Sequence, residues 1–273
     1  MPILETNIKE VQIMTTPETE KHVLLNTQNE LLTKLNKLNL SAFADELCQQ
    51  FELPHLYENL DLTERLHRCV NRQIEYADHA RVNALYKKSR MNRRYYLSQF
   101  QPDPGKGLDS SMILKLKELN YLESGTNILI CGPTGTGKTA LSIACGMEAI
   151  THGHTVMFYR MSDLSILLTT KDELSFLRFR DSLKRCKLLI IDDYGLEKLP
   201  DQTVLRMHEI AEARYGRGST IISTQLKKTA VKIPMDKSPV RDALSDRLFR
   251  PTDIEINLSG DSWRGNAREL RGE

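Results

Sequence analysis

The fold of this chain is decided by one stretch of its sequence, Gly132-Pro133-Thr134-Gly135-Thr136-Gly137-Lys138-Thr139. The stretch matches the whole G-x-x-x-x-G-K-T pattern of a phosphate-binding loop. It follows an apolar run at 128–131 and precedes a helix-compatible segment at 140–150. Glycines let the backbone fold around phosphate oxygens, and the free N–H groups at the start of the helix stabilise negative charge. We therefore predict a nucleoside triphosphate site between a strand and a helix.

The composition is typical of a globular protein with one large or two ordinary domains. The chain has 273 residues, of which 40% are apolar and 27% charged, and its net charge is +2. No apolar run is long enough to span a membrane, and residues 1–20 lack the apolar core of a signal peptide. The five cysteines show no C-x-x-C spacing, which fits a reducing compartment. We expect a cytoplasmic protein that does not bind membranes.

The first hundred residues predict a small all-helical domain. Leucines recur at helical spacing over 23–40, and Ser41 is a candidate N-cap for a second helix. Asp61 begins a longer helix, in which Glu64 completes a capping box. The apolar stripe of this helix comprises Leu62, Leu66, Val70, Ile74 and Ala77.

Composition also places the domain boundaries. Residues 1–20 are expected to be a flexible lead-in and 21–100 the helical domain. The segment 101–107 contains two prolines and two glycines and is expected to be a linker. The second domain covers 108–264, and a polar tail follows at 265–273.

The second domain alternates strand-like and helix-like segments, which is the pattern of an α/β sheet. Strands are predicted at 127–131, 155–159, 188–192, 220–224 and 253–257. Helices are predicted near 138–152, 175–185, 202–215 and 239–248. Most of the strands are short apolar runs, as expected for a parallel sheet that is covered on both faces.

A second motif supports nucleotide chemistry. Leu188-Leu189-Ile190-Ile191-Asp192-Asp193 is an apolar strand that ends in two carboxylates, a Walker B pattern. Asp192 and the Thr139 hydroxyl are predicted to hold Mg²⁺, and Lys138 to reach the β- and γ-phosphates of ATP. Asp193 is predicted to orient or deprotonate the attacking water, on the opposite side of the strand from Asp192. The backbone of 132–140, including Ala140, is predicted to cradle the phosphates.

Three further polar positions are candidates for contact with the nucleotide. Thr224 or Gln225, at the end of the strand 219–225, is a candidate sensor of the γ-phosphate. Arg247 is a candidate arginine finger acting on the ATP of a neighbouring subunit, although Arg241 and Arg250 are alternatives. Arg264, after the last strand, is a candidate nucleotide ligand. The chain has no Asn-Lys-x-Asp guanine signature, which disfavours a GTPase.

The order of these motifs resembles that of the IstB family, which are AAA+ ATPases encoded beside a bacterial insertion-sequence transposase and related to the DnaC helicase loader. The resemblance runs from about 24 to 264 and includes Gly153-His154, Asp246-Arg247-Leu248 and Gly260-Asp261-Ser262-Trp263-Arg264. It implies an AAA+ core without a full helical lid, in the bacterial cytoplasm. It also implies a homo-oligomer that assembles on duplex DNA with ATP, remodels it, and recruits and activates a partner transposase. Asp193 stands where many AAA+ proteins have Glu, and Gln225 where many have Asn.

Basic residues are clustered in two places that are candidates for DNA contact. Between 65 and 94 there are nine Lys or Arg and only two acidic residues, and two tyrosines follow at 95 and 96. Clustered positive charge favours binding to phosphates by counterion release, without base reading. The candidates in this cluster are Lys87, Lys88, Arg90, Arg93 and Arg94. A second group comprises Lys171, Arg178, Arg180, Lys184 and Arg185, in a region that faces DNA in the initiator-like proteins that the chain resembles. Lys227 and Lys228 form a weaker third.

Two alternatives remain open from the sequence. A DnaC-like helicase loader shares the ATPase core but prefers single-stranded DNA and a helicase partner. A nucleotide-gated adaptor binds ATP with little turnover, and the short side chain of Asp193 is compatible with it.

Overall fold

The structure, a computed structural model, describes residues 25–226, 239–249 and 254–260. The chain divides into two compact units between His79 and Ala80. Within the described ranges, none of the helices combines the length and apolar character that a membrane span needs.

The first unit is helical, as predicted. It contains α1 (Asn26–Lys37), α2 (Ser41–Glu52) and the beginning of α3 (Leu62–Lys88). The capping box of α3 is confirmed, because the Glu64 N–H donates to Asp61 Oδ1 at 2.8 Å and the Asp61 N–H donates to Glu64 Oε2 at 3.0 Å. Ser41 is the first residue of α2 and not its N-cap, which is Leu40.

The apolar stripe predicted on α3 does not form its buried face. The side chains of Leu62, Leu66, Val70 and Ile74 are all more than 40% exposed. The buried residue of α3 in this unit is Cys69, whose sulfur lies 3.4 Å from the amide nitrogen of the buried Gln50 on α2. Gln50 also accepts from Arg65 Nε at 3.1 Å and donates to the Arg65 carbonyl at 3.0 Å. The contact between α2 and α3 is therefore made by polar side chains around Cys69.

The second unit is built on a five-stranded parallel sheet, which confirms the predicted fold class. Its strands are β1 (Ile128–Cys131), β2 (Val156–Arg160), β3 (Leu188–Tyr194), β4 (Ser219–Thr224) and β5 (Ile254–Asn257). Their order in the sheet is β2-β3-β4-β1-β5, with every pairing parallel. Only β4 separates β1 from β3. The segments that follow β1 and β3 therefore begin close together at the carboxyl edge of the sheet.

Helices cover both faces of this sheet. They are α4 (Ser110–Glu118), α5 (Asn120–Ser124), α6 (Lys138–Thr151), α7 (Met161–Thr170), α8 (Glu173–Arg185), α9 (Asp201–Arg214) and α10 (Pro239–Leu248). The sequence did not predict α4, α5 and α7. The first two are short, and α7 begins directly after β2 without a turn residue between them.

The hydrophobic core consists of two layers, one on each face of the sheet. Ile130 and Ile190 belong to the layer beneath α6, whereas their neighbours Leu129 and Ile191 belong to the layer beneath α7 to α10. This alternation follows from the two-residue period of a strand. Since both faces of the sheet are buried, the strands are continuous apolar runs. This is why the strands could be predicted from the sequence.

The segment 101–107 packs beside the end of β5. Asp103 and Leu108 form an antiparallel bridge, and the Ser259 hydroxyl donates to the Gly105 carbonyl at 2.8 Å. Gly107 has φ of +80°, and a Cβ on it would lie 1.8 Å from the Asn257 carbonyl oxygen. Glycine is therefore required where this segment passes the strand.

A buried arginine ties the amino ends of β3 and β4 to the helices. Arg214 is only 3% exposed. Its guanidinium donates to the carbonyls of Leu183, Cys186 and Ser219 and to the Thr220 hydroxyl. These acceptors offset the cost of removing the charge from water.

We predict that Arg214→Met lowers the free energy of unfolding by about 3 kcal/mol or more, because several buried acceptors lose their donor. Urea unfolding followed by circular dichroism measures the loss. The control is Arg178→Ala, since Arg178 is exposed and its loss is expected to change stability by no more than about 0.5 kcal/mol. Equal urea midpoints for the two variants would contradict this role of Arg214.

Candidate functional site

A cavity of about 580 Å³ opens at the carboxyl edge of the sheet. Its walls are the loop 132–139, the start of α6, the ends of β2, β3 and β4, and residues that follow α3. The volume is within the range of small-molecule sites, and the carboxyl edge is where open α/β sheets bind ligands.

Contacts with neighbouring residues fix the conformation of the loop after β1. A Cβ on Gly132 would lie 2.4 Å from the Leu258 carbonyl oxygen, so only glycine allows the loop to leave β1 along this path. The Lys138 side chain is 6% exposed and its Nζ donates to the Pro133 carbonyl at 2.7 Å. The first residue of α6 is Lys138, so the amino end of this helix adjoins the cavity.

A buried carboxylate joins the phosphate loop to the sheet. Asp192 is 1% exposed, and its Oδ2 accepts from the Thr139 hydroxyl at 2.8 Å. Its Oδ1 accepts from the hydroxyl of Ser223 on β4. A carboxylate and a hydroxyl oxygen are hard donors of the kind that magnesium prefers, so Asp192 and Thr139 fit the metal that accompanies a nucleotide. Ser223 was not among the candidates predicted from the sequence, although it lies in the predicted strand 219–225.

Asp193 lines the same cavity as Asp192, in contrast to the opposite sides expected from strand alternation. The register between β3 and β4 shifts between Ile191 and Tyr194, and Asp193 has φ of +57°. The Asp193 N–H lies 3.3 Å from the Ser223 hydroxyl oxygen, to which it donates. The irregularity brings the carboxylates of two successive residues to one cavity. The regular alternation of side chains along a strand does not predict this arrangement.

The two candidate sensors are Thr224, the last residue of β4, and Gln225, which follows it; of these, Gln225 lines the cavity. Gln225 Oε1 accepts from the Thr134 hydroxyl of the phosphate loop at 2.8 Å. Thr224 is fully buried and its hydroxyl donates to the Tyr194 carbonyl at 2.7 Å.

The candidate arginine finger lies elsewhere on the unit. Arg247 is on α10, where it pairs with Glu212 and its guanidinium lies 4.7 Å from the centre of the Tyr215 ring. It does not line the cavity. Arg241 is tied within its own chain, donating to the Leu199 carbonyl at 3.2 Å and to Asp201 at 2.9 Å. The further candidates Arg250, Arg264, Lys227 and Lys228 lie outside the described residues.

The arginines of the first basic cluster have different neighbours. Arg90 lies 4.9 Å from the centre of the Tyr159 ring, and Arg94 lies 4.3 Å from that of Tyr86. Arg93, by contrast, lines the cavity at the carboxyl edge of the sheet. The cavity also has lining residues that no motif indicated, namely Asn92, Tyr95, Ile143, Phe158, Arg160 and Leu196.

The remaining basic candidates lie away from the cavity. Lys87 and Lys88 are exposed at the end of α3, and Arg178 is exposed on α8. The Lys171 ammonium lies 5.3 Å from the centre of the Phe179 ring. Arg180 is held by Asp181 at 3.3 Å and Glu209 at 3.7 Å, which makes it a weaker candidate for binding phosphate.

Most of the chain is similar in sequence to known proteins. The family described as "IstB-like ATP binding protein" matches residues 33–270. The insertion sequence ATP-binding protein y4pL of Sinorhizobium fredii is 31% identical over 241 residues, covering 87% of this chain and 96% of the relative. The IS21 ATP-binding protein of Pseudomonas aeruginosa is 26% identical and covers 89% and 90%.

Solved structures support the fold. AMPPCP-bound DnaA from Aquifex aeolicus has a TM-score of 0.54 and 22% identity, over 67% of this chain and 56% of that one. DnaA bound to AMPPCP and single-stranded DNA has the same TM-score, identity and coverage. The second unit therefore has the AAA+ fold of these proteins.

We predict that Ser223→Ala lowers the affinity for MgATP about 10-fold, because Asp192 loses a partner that orients it. The affinity for ATP in EDTA should not change, since Ser223 does not line the cavity. Titration with a fluorescent ATP in either buffer measures both.

Ser219→Ala is the matched control, because Ser219 is a buried serine at the other end of β4 that donates to the Tyr121 carbonyl. An equal loss with and without magnesium in Ser223→Ala would contradict a role for Ser223 in supporting the metal.

Proposed function

This chain belongs to the IstB-like family of insertion-sequence ATP-binding proteins, and from this we propose that it is a DNA-stimulated ATPase that prepares target duplex DNA for a partner transposase. The observation that carries the proposal is the contact between Thr139 and Asp192, with Asp193 lining the same cavity. Such a site has the groups for hydrolysis as well as for binding. Family membership supplies the link to transposition.

In this proposal each residue of the site has one task. The loop N–H groups and Lys138 bind the phosphates, and Thr139 and Asp192 hold the magnesium ion. When bound, that ion neutralises charge on the β- and γ-phosphates. Asp193 orients or deprotonates the attacking water, and Gln225 contacts the terminal phosphate. Arg264, outside the described residues, is proposed as a further nucleotide ligand.

We place the arginine finger in a homo-oligomer. Arg247 does not line the cavity of its own chain, so it would act on the ATP of a neighbouring subunit. Its side chain is 33% exposed and would exchange Glu212 for a phosphate. ATP would then favour assembly, and hydrolysis would loosen it.

The DNA surface is proposed at the meeting point of the two basic clusters. Lys88, at the end of α3, and Arg185, at the end of α8, border the same small cavity of about 120 Å³. Lys87 and Arg178 are also exposed, and the proposed surface includes them. Lysine and arginine side chains of this kind bind DNA phosphates by counterion release, which gives affinity without sequence preference.

Steady-state ATP hydrolysis with no DNA, duplex DNA and single-stranded DNA tests the function. We expect duplex DNA to stimulate turnover most strongly, because the proposed substrate is target duplex. Lys138→Ala is the blank, since it should lose nucleotide binding. Stimulation by single strands alone would favour a helicase loader, and absence of turnover in every condition, with the transposase included, would favour a nucleotide-gated adaptor.

We predict that Arg247→Ala keeps the affinity for ATP within about twofold but lowers DNA-stimulated turnover by about 100-fold or more, as loss of an arginine finger does. Binding titrations and turnover measured on the same preparation separate the two effects.

Glu212→Gln is the companion variant, because it weakens the pair that holds Arg247 and leaves the arginine in place. We expect it to retain turnover. Wild-type turnover in Arg247→Ala would refute the assignment of the finger.

A further inference from the structure

Two arginines line the nucleotide cavity from outside the phosphate loop and the Walker B strand. They are Arg93, which follows α3, and Arg160, the last residue of β2. Both side chains are exposed to solvent. Within the part of the chain that the structure describes, neither guanidinium forms an ion pair with a carboxylate. Both are therefore available to an anion that enters the cavity.

The order of the strands locates Arg160 along the site. From the phosphate loop on β1, the carboxyl edge runs through β4 and β3 to β2. Arg160 pairs with Asp192 in the register of β2 and β3, one strand further from the loop. With strands about 4.8 Å apart, β3 lies roughly 10 Å and β2 roughly 14 Å from β1. Arg160 thus lies beyond the carboxylate, on the side away from the loop.

Arg93 is held on the same side of the cavity. The Ser89 carbonyl accepts from the Phe158 N–H of β2 at 2.8 Å, which fixes the segment after α3 against this strand. Met91 and Leu97 are buried at 5% and 1% exposure and anchor the segment at both ends. Between these anchors Arg93 points to the cavity, with its Nη1 3.4 Å from the Tyr95 hydroxyl.

Charge balance indicates what the two arginines bind. Among the residues that the structure describes, three cationic side chains, Lys138, Arg93 and Arg160, line the cavity together with the two carboxylates of Asp192 and Asp193. Without the two arginines, the charged groups among these lining residues would be one cation and two carboxylates. A magnesium–ATP complex, which carries a net negative charge, would then meet a cavity of the same sign. The loop and Lys138 serve the phosphates nearest β1. An ATP molecule whose phosphates run from the loop towards Asp192 would present its terminal phosphate to the side of the cavity that carries the arginines.

We propose that Arg93 and Arg160 bind the terminal phosphate of ATP within the same chain and so make the cavity distinguish ATP from ADP. A guanidinium donates several hydrogen bonds in one plane and suits a phosphate with three free oxygens. ADP leaves this end of the cavity empty, so its affinity does not depend on them. The residues are distinct from Arg247, which lies outside the cavity.

This assignment removes Arg93 from the DNA surface and separates it from its neighbours. Arg94 donates to Asn83 Oδ1 at 2.8 Å and stacks on Tyr86, away from the cavity lining. The two adjacent arginines therefore differ in location but not in chemistry, which makes Arg94 a matched control for Arg93.

The inference rests on the ATP binding that the proposed function includes, but not on turnover, DNA or the transposase. Affinities for fluorescent AMPPNP and fluorescent ADP are measured with magnesium and without DNA, for wild type, Arg93→Ala, Arg160→Ala and Arg94→Ala. Because these arginines are exposed, the variants should fold, which circular dichroism checks.

We expect Arg93→Ala and Arg160→Ala each to weaken AMPPNP binding about 10- to 100-fold, the effect of losing a charged hydrogen bond. ADP binding should stay within about twofold, and Arg94→Ala should match wild type for both nucleotides. An unchanged ratio of the two affinities in either cavity variant overturns the inference. The ratio is measured without hydrolysis or DNA, so its outcome is separate from a failure of the ATPase proposal.

Discussion

The candidate site depends on the way one buried carboxylate is satisfied. Asp192 is 1% exposed, and a charge at such depth is tolerated only with good partners. Its partners are hydroxyls from two different elements, Thr139 on α6 and Ser223 on β4. The same contacts therefore fix the first turn of α6 against the sheet and place oxygen atoms of Thr139 and Asp192 next to each other beside the loop 132–139. The geometry of the site therefore depends on the packing of the sheet. Neither hydroxyl reaches Asp192 unless β1, β4 and β3 lie in the observed order.

The strands and the phosphate loop could be predicted because their signals are local. Residues 188–192 form an apolar run that ends in an acidic residue. A strand that is buried on both faces can be identified from such a run alone. Arg160 and Arg93 could not be assigned in this way. Their place in the cavity depends on β2 lying next to β3 and on the segment after α3 running along β2. The prediction that the apolar stripe on α3 is buried was wrong for the same reason. Helical spacing identifies which residues share a face of a helix, but not which element packs against that face.

Clustered positive charge was the least specific signal in the sequence. Within one short run, Arg90 and Arg94 stack on different tyrosines, Arg93 borders the cavity at the carboxyl edge and Lys88 lies at the end of α3. A guanidinium has several favourable partners besides DNA, including aromatic rings and nucleotide phosphates. The run consequently combines a proposed DNA surface with a proposed phosphate contact.

The central claim is that ATP in this cavity drives assembly of the chain on duplex DNA. Its most direct test is the mass of the complexes formed on a short duplex with AMPPNP, with ADP and without nucleotide, measured by mass photometry. The account predicts complexes of several chains per duplex with AMPPNP, and single chains or free DNA in the other two conditions. Complexes of the same mass in all three conditions would contradict it.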